Sequence, residues 1–213
     1  MRCSSDQQLL IETPDDYHHP SVQLYIQGEV NRPSKQWIGN VLDGTQESEH
    51  IKLETDEFLL LPDTERVNRY WGVNTGKKVS PKINNNNNSN ENTVMINWLA
   101  IVKDKGIRTL RDLRGEHIPM LERLRDQCIS KVQEECGVNS DEIMVYLHYH
   151  PSVYHLHIHV AYPYMQHNHR DVYRIHSLNT VIDNLRLRGD YYEHARLQVS
   201  VNKDSVLYKV IKG

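Results

Sequence analysis

This chain has few of the features that supply cross-links, membrane anchorage or a one-sign electrostatic field. Only three cysteines occur in 213 residues: Cys3, Cys128 and Cys136. Their spacing fits no metal-ligand pattern. Cys128 and Cys136 fall two turns apart on a predicted helix, too far for a disulfide. This odd, scattered set points to a reduced, intracellular protein. No apolar run approaches the roughly 18 residues of a membrane span, and Met1-Arg2-Cys3-Ser4 opens no apolar signal core. Positive charge is not in excess either. With Lys and Arg at 25, Asp and Glu at 28 and a net charge of -3, overall basicity gives no reason to expect duplex nucleic acid as a partner. A small phosphorylated ligand stays open, because it needs only a local cluster of cations. The length suits one core of ordinary size, with or without an irregular extension.

The residues themselves divide the chain unevenly. Positions 1–35 are polar and read as a loose lead-in, with a strand at Leu9–Glu12 and a turn at Pro14-Asp15-Asp16. Trp37, Ile38, Val41 and Leu42 recur at helical spacing, which predicts a short helix over 36–45 stopped at Gly44. Strands are expected at His50–Glu54 and Glu57–Leu61, ended by Pro62-Asp63. The pattern breaks over 64–93, where Asn84–Asn88 is a run of five asparagines. Such a tract buries too little apolar area to offset its chain entropy, so a disordered loop insertion is expected at about 76–93. A strand is expected at Val94–Val102, then a turn at Lys105-Gly106. Ile118, Leu121, Leu124, Cys128 and Val132 repeat at three and four, an amphipathic helix that Gly137 ends. Strands follow at Ile143–Tyr149 and Val153–Ala161, a helix at Asp171–Leu187, and a strand at Arg196–Val201. The sum is α+β: an antiparallel sheet with two main helices.

Histidine is abundant. There are 13, and five fall between His148 and His159. Within His155-Leu156-His157-Ile158-His159-Val160, imidazole and aliphatic residues alternate with period two. On a strand, this puts three imidazoles on one face, roughly 6.5–7 Å apart. Three readings compete. The histidines are ordinary members of a half-exposed strand face. Alternatively, a His-x-His pair with His148 binds a metal such as zinc, although Tyr146 to Pro163 holds no Asp, Glu or Cys. In the third reading, one imidazole attacks phosphorus and forms a phosphohistidine, while its neighbours neutralise the non-bridging oxygens. That chemistry needs a partner for the nucleophile's second nitrogen, so that the attacking nitrogen is unprotonated.

The run His155-Leu156-His157-Ile158-His159-Val160-Ala161 resembles the histidine-triad motif of nucleotide hydrolases and transferases. Tyr146-Leu147-His148-Tyr149-His150-Pro151-Ser152-Val153-Tyr154 and Gly106-Ile107-Arg108-Thr109-Leu110-Arg111-Asp112-Leu113 narrow the match to the scavenger mRNA decapping branch. The resemblance covers roughly residues 10 to 210. It implies a histidine-triad-like fold, a homodimer, and hydrolysis of the residual cap left after 3′-to-5′ mRNA decay. The products would be 7-methylguanosine monophosphate and a nucleoside diphosphate, formed without a metal or other cofactor. His157 would be the nucleophile. His148, Ser152, His155 and His159 would contact phosphates or orient His157, and Arg174, on the following helix, would lie near the phosphates.

The upstream residues suit the same substrate. A 7-methylated guanine is cationic, so an aromatic ring can stack on it and a carboxylate can accept its Watson–Crick hydrogens. Trp37 and Glu47 match the family's stacking tryptophan and base-reading glutamate, and Asp63 matches an aspartate of that pocket. Each has a plain alternative, as a core tryptophan or solvated acid. Three departures stand out. Glu65 occupies a position where the family has lysine, with Arg66, Lys77 and Lys78 as nearby cations. Val153 replaces a usual tyrosine. Only the end of the family's N-terminal domain is expected within 1–35, ahead of a catalytic domain at 36–213. Loss of a closing lid would weaken water exclusion and limits on substrate size. The expected partner is a capped dinucleotide or short capped RNA, with no membrane and no duplex DNA, in the cytoplasm and also the nucleus. Two alternatives are a cap-binding protein with little activity and a histidine-triad hydrolase of other dinucleotides or nucleoside phosphoramidates.

Overall fold

The computed structural model describes residues 7–46, 48–63, 96–162 and 173–213. Their apolar alternation is satisfied by two antiparallel sheets. The larger contains β2 (Leu53–Glu54), β3 (Phe58–Pro62), β4 (Ile96–Val102), β5 (Met144–His148), β6 (His157–Tyr162) and β7 (Ile175–Ser177), in the order β2-β3-β4-β6-β5-β7. The smaller pairs β1 (Gln7–Glu12) with β8 (Leu197–Asn202), joining distant parts of the chain. The helices are α1 (Pro14–His18), α2 (Pro20–Val30), α3 (Trp37–Leu42), α4 (Ile118–Cys136), α5 (Leu178–Leu187), α6 (Tyr191–His194) and α7 (Val206–Lys212). The α+β class expected from the sequence is therefore observed. No helix among the described residues is long and apolar enough to cross a membrane.

Strand register sorts the large sheet into two faces. Phe58 pairs with Val102, Leu60 with Ala100, Ala100 with Ile158, and Trp98 with Val160. These residues share a face and enter the main core with Leu121, Leu124, Cys128 and Val132 of α4 and Val181, Ile182 and Leu185 of α5. Fully burying such a side chain contributes about 1.5–3 kcal/mol. On the opposite face, Leu59 pairs with Ile101, Leu61 with Leu99, Ile101 with His157, and Leu99 with His159. A second apolar cluster forms there, from Ile38 and Val41 of α3, Leu59, Leu61, Leu99, Ile101 and Val153. Because α3 covers only part of this face, the histidines of β6 stand beside it.

Four expectations change. Residues 14–30 are two helices rather than a loose lead-in. Thr13 caps α1 in a reciprocal box with Asp16, Pro14 starts it, and Pro20 starts α2. Tyr17, Val22 and Ile26 from this stretch are buried in the main core. As a result, three helices, not two, reach ten residues or more among the described residues. β6 begins at His157, so His155 lies ahead of the strand. Its successor explains why: Leu156 N–H donates to Ile107 O at 2.8 Å, away from the β4 ladder. Finally, Arg174 precedes β7 and is not on a helix; α5 starts only at Leu178. The Asn tract, Glu65, Arg66, Lys77 and Lys78 lie outside the described residues.

Candidate active site

His157 and His159 sit two apart on β6, so both project from the face shared with α3. Both are buried. His157 Nδ1 lies 2.8 Å from the backbone oxygen of His155. A carbonyl only accepts, so Nδ1 carries the hydrogen and Nε2 holds the lone pair of the neutral ring. This is the tautomer that a nucleophile needs. His155 is anchored from its other end, since its Nε2–H donates to Val102 O at 2.6 Å. Burial pushes the His155 imidazole below its ordinary pKa, against the opposing pull of that hydrogen bond. The residue thus supplies its carbonyl from a held, neutral ring.

β5 provides the next wall. His148 Nδ1 lies 3.1 Å from His159 Nε2, a distance at which one ring donates to the other. The His157 and His159 rings are 5.4 Å apart, with 67° between their planes. Tyr146 stacks on His159 at 5.0 Å, with 12° between the planes, and fixes its orientation. Four rings from two adjacent strands therefore form one surface. Ser152 is half-buried in the turn between β5 and β6. Arg174 enters from the neighbouring edge, where its Nη2 donates to His150 O at 2.8 Å and its carbonyl accepts from Tyr149 N–H at 2.8 Å.

Trp37 and Asp63 reach this face by separate routes. Trp37 begins α3 and packs, partly buried, against the cluster containing Leu99 and Ile101. Those two residues are the direct strand partners of His159 and His157. Asp63 follows β3, where its N–H donates to Asn97 O at 2.8 Å and its carboxylate accepts from Asn97 Nδ2 at 3.4 Å. Asn97 pairs with Ala161, two residues beyond His159. An aromatic ring, a carboxylate and an imidazole row are thereby brought to one sheet face. Val153 lies in the apolar cluster with α3, so the residue in the tyrosine position contributes packing.

Among the described residues, one grouping has metal-ligand proximity: Asp190, Glu193 and His194. It lies at α6 and includes none of the sheet histidines. Its carboxylates already pair with Arg188 at 2.5 Å and Arg114 at 3.0 Å.

The family described as "Scavenger mRNA decapping enzyme C-term binding" matches residues 36–173. The chain belongs to the scavenger mRNA decapping family. Relatives named m7GpppX diphosphatase agree with this placement. The Ascaris suum protein is 31% identical over 205 residues, covering 94% of this chain and 60% of its own length. The Homo sapiens protein is 31% identical over 211 residues, covering 97% and 55%. The Schizosaccharomyces pombe protein is 27% identical over 213 residues, covering 97% and 62%. The chain thus spans less than two thirds of the length of these curated relatives.

Of the site residues expected for a scavenger decapping protein, the structure brings Trp37, Asp63, His148, His157 and His159 to one sheet face. Ser152, His155 and Arg174 lie at its margin, and Glu47 lies outside the described residues. Sequence reasoning gave no role to Tyr146, although its two-residue spacing from His148 was a usable signal. It also missed Asn97 and Glu12, whose side-chain partners lie 34 to 138 positions away in sequence.

Proposed function

We propose that this chain is a metal-independent cap diphosphatase with a histidine-triad-like fold, acting as a homodimer on 7-methylguanosine cap dinucleotide or short capped RNA. The observation that carries the reading is the His157 Nδ1–H bond to His155 O, which leaves Nε2 as the nucleophilic nitrogen beside two further imidazoles. His157 Nε2 attacks the phosphorus nearest the methylated nucleoside. The bond to the bridging oxygen breaks, and the nucleoside diphosphate leaves with that oxygen. Water then attacks the phosphohistidine and releases 7-methylguanosine monophosphate. His148, His159, Ser152 and Arg174 hold the phosphate oxygens, while Trp37 stacks on the cationic base and Glu47 and Asp63 read its edge. The names of the relatives and the family match support this assignment.

The test is chromatographic product analysis with methylated and unmethylated cap dinucleotides, with and without a chelator. The wild type should release the monophosphate and diphosphate, prefer the methylated substrate and be insensitive to chelation. His157→Asn should bind the dinucleotide but lose about a thousandfold or more in turnover. Near wild-type hydrolysis by that variant would overturn the nucleophile assignment. Binding without products by the wild type would make the chain a cap-binding protein. Equal turnover without the methyl group would make it a hydrolase of other dinucleotides.

A further inference from the structure

Beside the site, a buried polar cluster that the proposed chemistry does not use joins β1 to the turn between β5 and β6. Glu12 ends β1 with its side chain 0% exposed. It accepts from Arg111 Nη2 at 2.7 Å and Nε at 3.1 Å, from the Tyr149 hydroxyl, and from His150 Nε2–H at 2.6 Å. Burial pushes this carboxyl upward, but the bond and charge of His150, the Tyr149 hydroxyl and the Arg111 charge outweigh it and hold the group below the usual carboxylate range. Glu12 is therefore ionised and fully partnered.

His150 is held at two ends. Its imidazole, 14% exposed, bonds Glu12. Its backbone oxygen accepts from Arg174 Nη2. The ring is further oriented by Tyr149, stacked at 4.1 Å, and by the Tyr154 hydroxyl, 3.4 Å from Nδ1. Two residues further on comes Ser152. Any displacement of His150 therefore moves both an acceptor of the arginine and the turn that carries the serine.

We propose that the Glu12–His150 pair is a positioning clamp that sets Arg174 and Ser152 against the phosphates. The clamp rests on the phosphate-binding reading of the histidine face given above. Neither Glu12 nor His150 touches the substrate; the pair acts through residues that do. Replacing His150 removes the clamp and the bond to Glu12 Oε2, while Arg111 and Tyr149 still bond Oε1.

The test compares the wild type, His150→Leu, His150→Gln, Arg174→Ala and the His150→Leu/Arg174→Ala double variant, all as full chains. Three readouts are steady-state cap hydrolysis, calorimetric binding of inorganic pyrophosphate, and melting temperature. His150→Leu should lower kcat/KM by about ten- to a hundredfold and weaken pyrophosphate binding in the same direction, with a lower melting temperature from the bond lost at Glu12 Oε2. His150→Gln, which retains a donor, should recover to within about threefold, and His150→Leu should add nothing to Arg174→Ala. Wild-type activity and pyrophosphate affinity in His150→Leu, or losses that multiply in the double variant, would overturn the clamp. If no chain hydrolyses cap, the proposed function fails and pyrophosphate binding alone decides the clamp. Weakening that is non-additive with Arg174→Ala keeps the clamp, and unchanged affinity ends it.

Discussion

At the scale of single residues, a backbone atom sets the tautomer of His157. His155 O fixes the proton on His157 Nδ1, and no side-chain substitution can supply the same acceptor. In the proposed function, side chains instead decide recognition. Trp37 sits at the edge of the α3 cluster with its ring only partly buried. Stacking on a cationic base is worth about 0.5–2 kcal/mol, or roughly two- to thirtyfold. Trp37→Ala should therefore reduce the kcat/KM ratio of methylated to unmethylated cap dinucleotide by that factor, and an unchanged ratio would remove Trp37 from the base site. A different histidine contributes to acid sensitivity. Among the described residues, His176 Nε2 is buried with no hydrogen-bond partner, and burial lowers its pKa from 6.5. As pH falls below 6.5 the unfolded chain takes up the proton first, so stability is fully present above that value and declines below it. Urea denaturation of His176→Leu across this range should show a shallower acid-side loss than the wild type.

Among the elements, α4 was legible because its pattern is local. Leu121, Leu124, Cys128 and Val132 recur at helical spacing and are all buried, and Gly137 ends the helix with φ of +68°. An L side chain there is strained by about 1–2 kcal/mol, so Gly137→Ala should lower unfolding free energy by that amount in denaturant titrations. β7 and the start of β6 were not legible. β7 has three residues and exists through pairing with β5; its sequence continues the apolar spacing of α5. β6 starts late because Leu156 finds its acceptor at Ile107 rather than in the ladder. Both boundaries depend on hydrogen-bond partners distant in sequence.

For the whole molecule, the decisive tie is the one between its first strand and its interior. Arg111 is buried and bonds Glu12, Tyr192 O at 2.9 Å and Ala195 O at 2.6 Å. One guanidinium thus links β1, the α6 region and the turn at Leu110–Asp112. Removing one partner of a buried pair costs about 3–5 kcal/mol, because the other charge stays buried with less compensation. Arg111→Met should show a loss of this size in chemical denaturation, and a change under about 1 kcal/mol would show that the tie is not structural.

The sequence by itself determined the α+β class, most strand and helix positions over 36–62 and 96–202, and the candidate roles of the histidine row, because periodicity and motif spacing are local properties. Only the tertiary structure decided that His155 leaves the strand while its carbonyl holds His157. The same holds for the meeting of Trp37, Asp63 and the imidazoles on one sheet face, and for the link between Glu12, the turn at His150 and Arg174. Those facts rest on strand register and on hydrogen bonds between residues up to 138 positions apart, and such pairings become definite only when the whole sheet closes around its core.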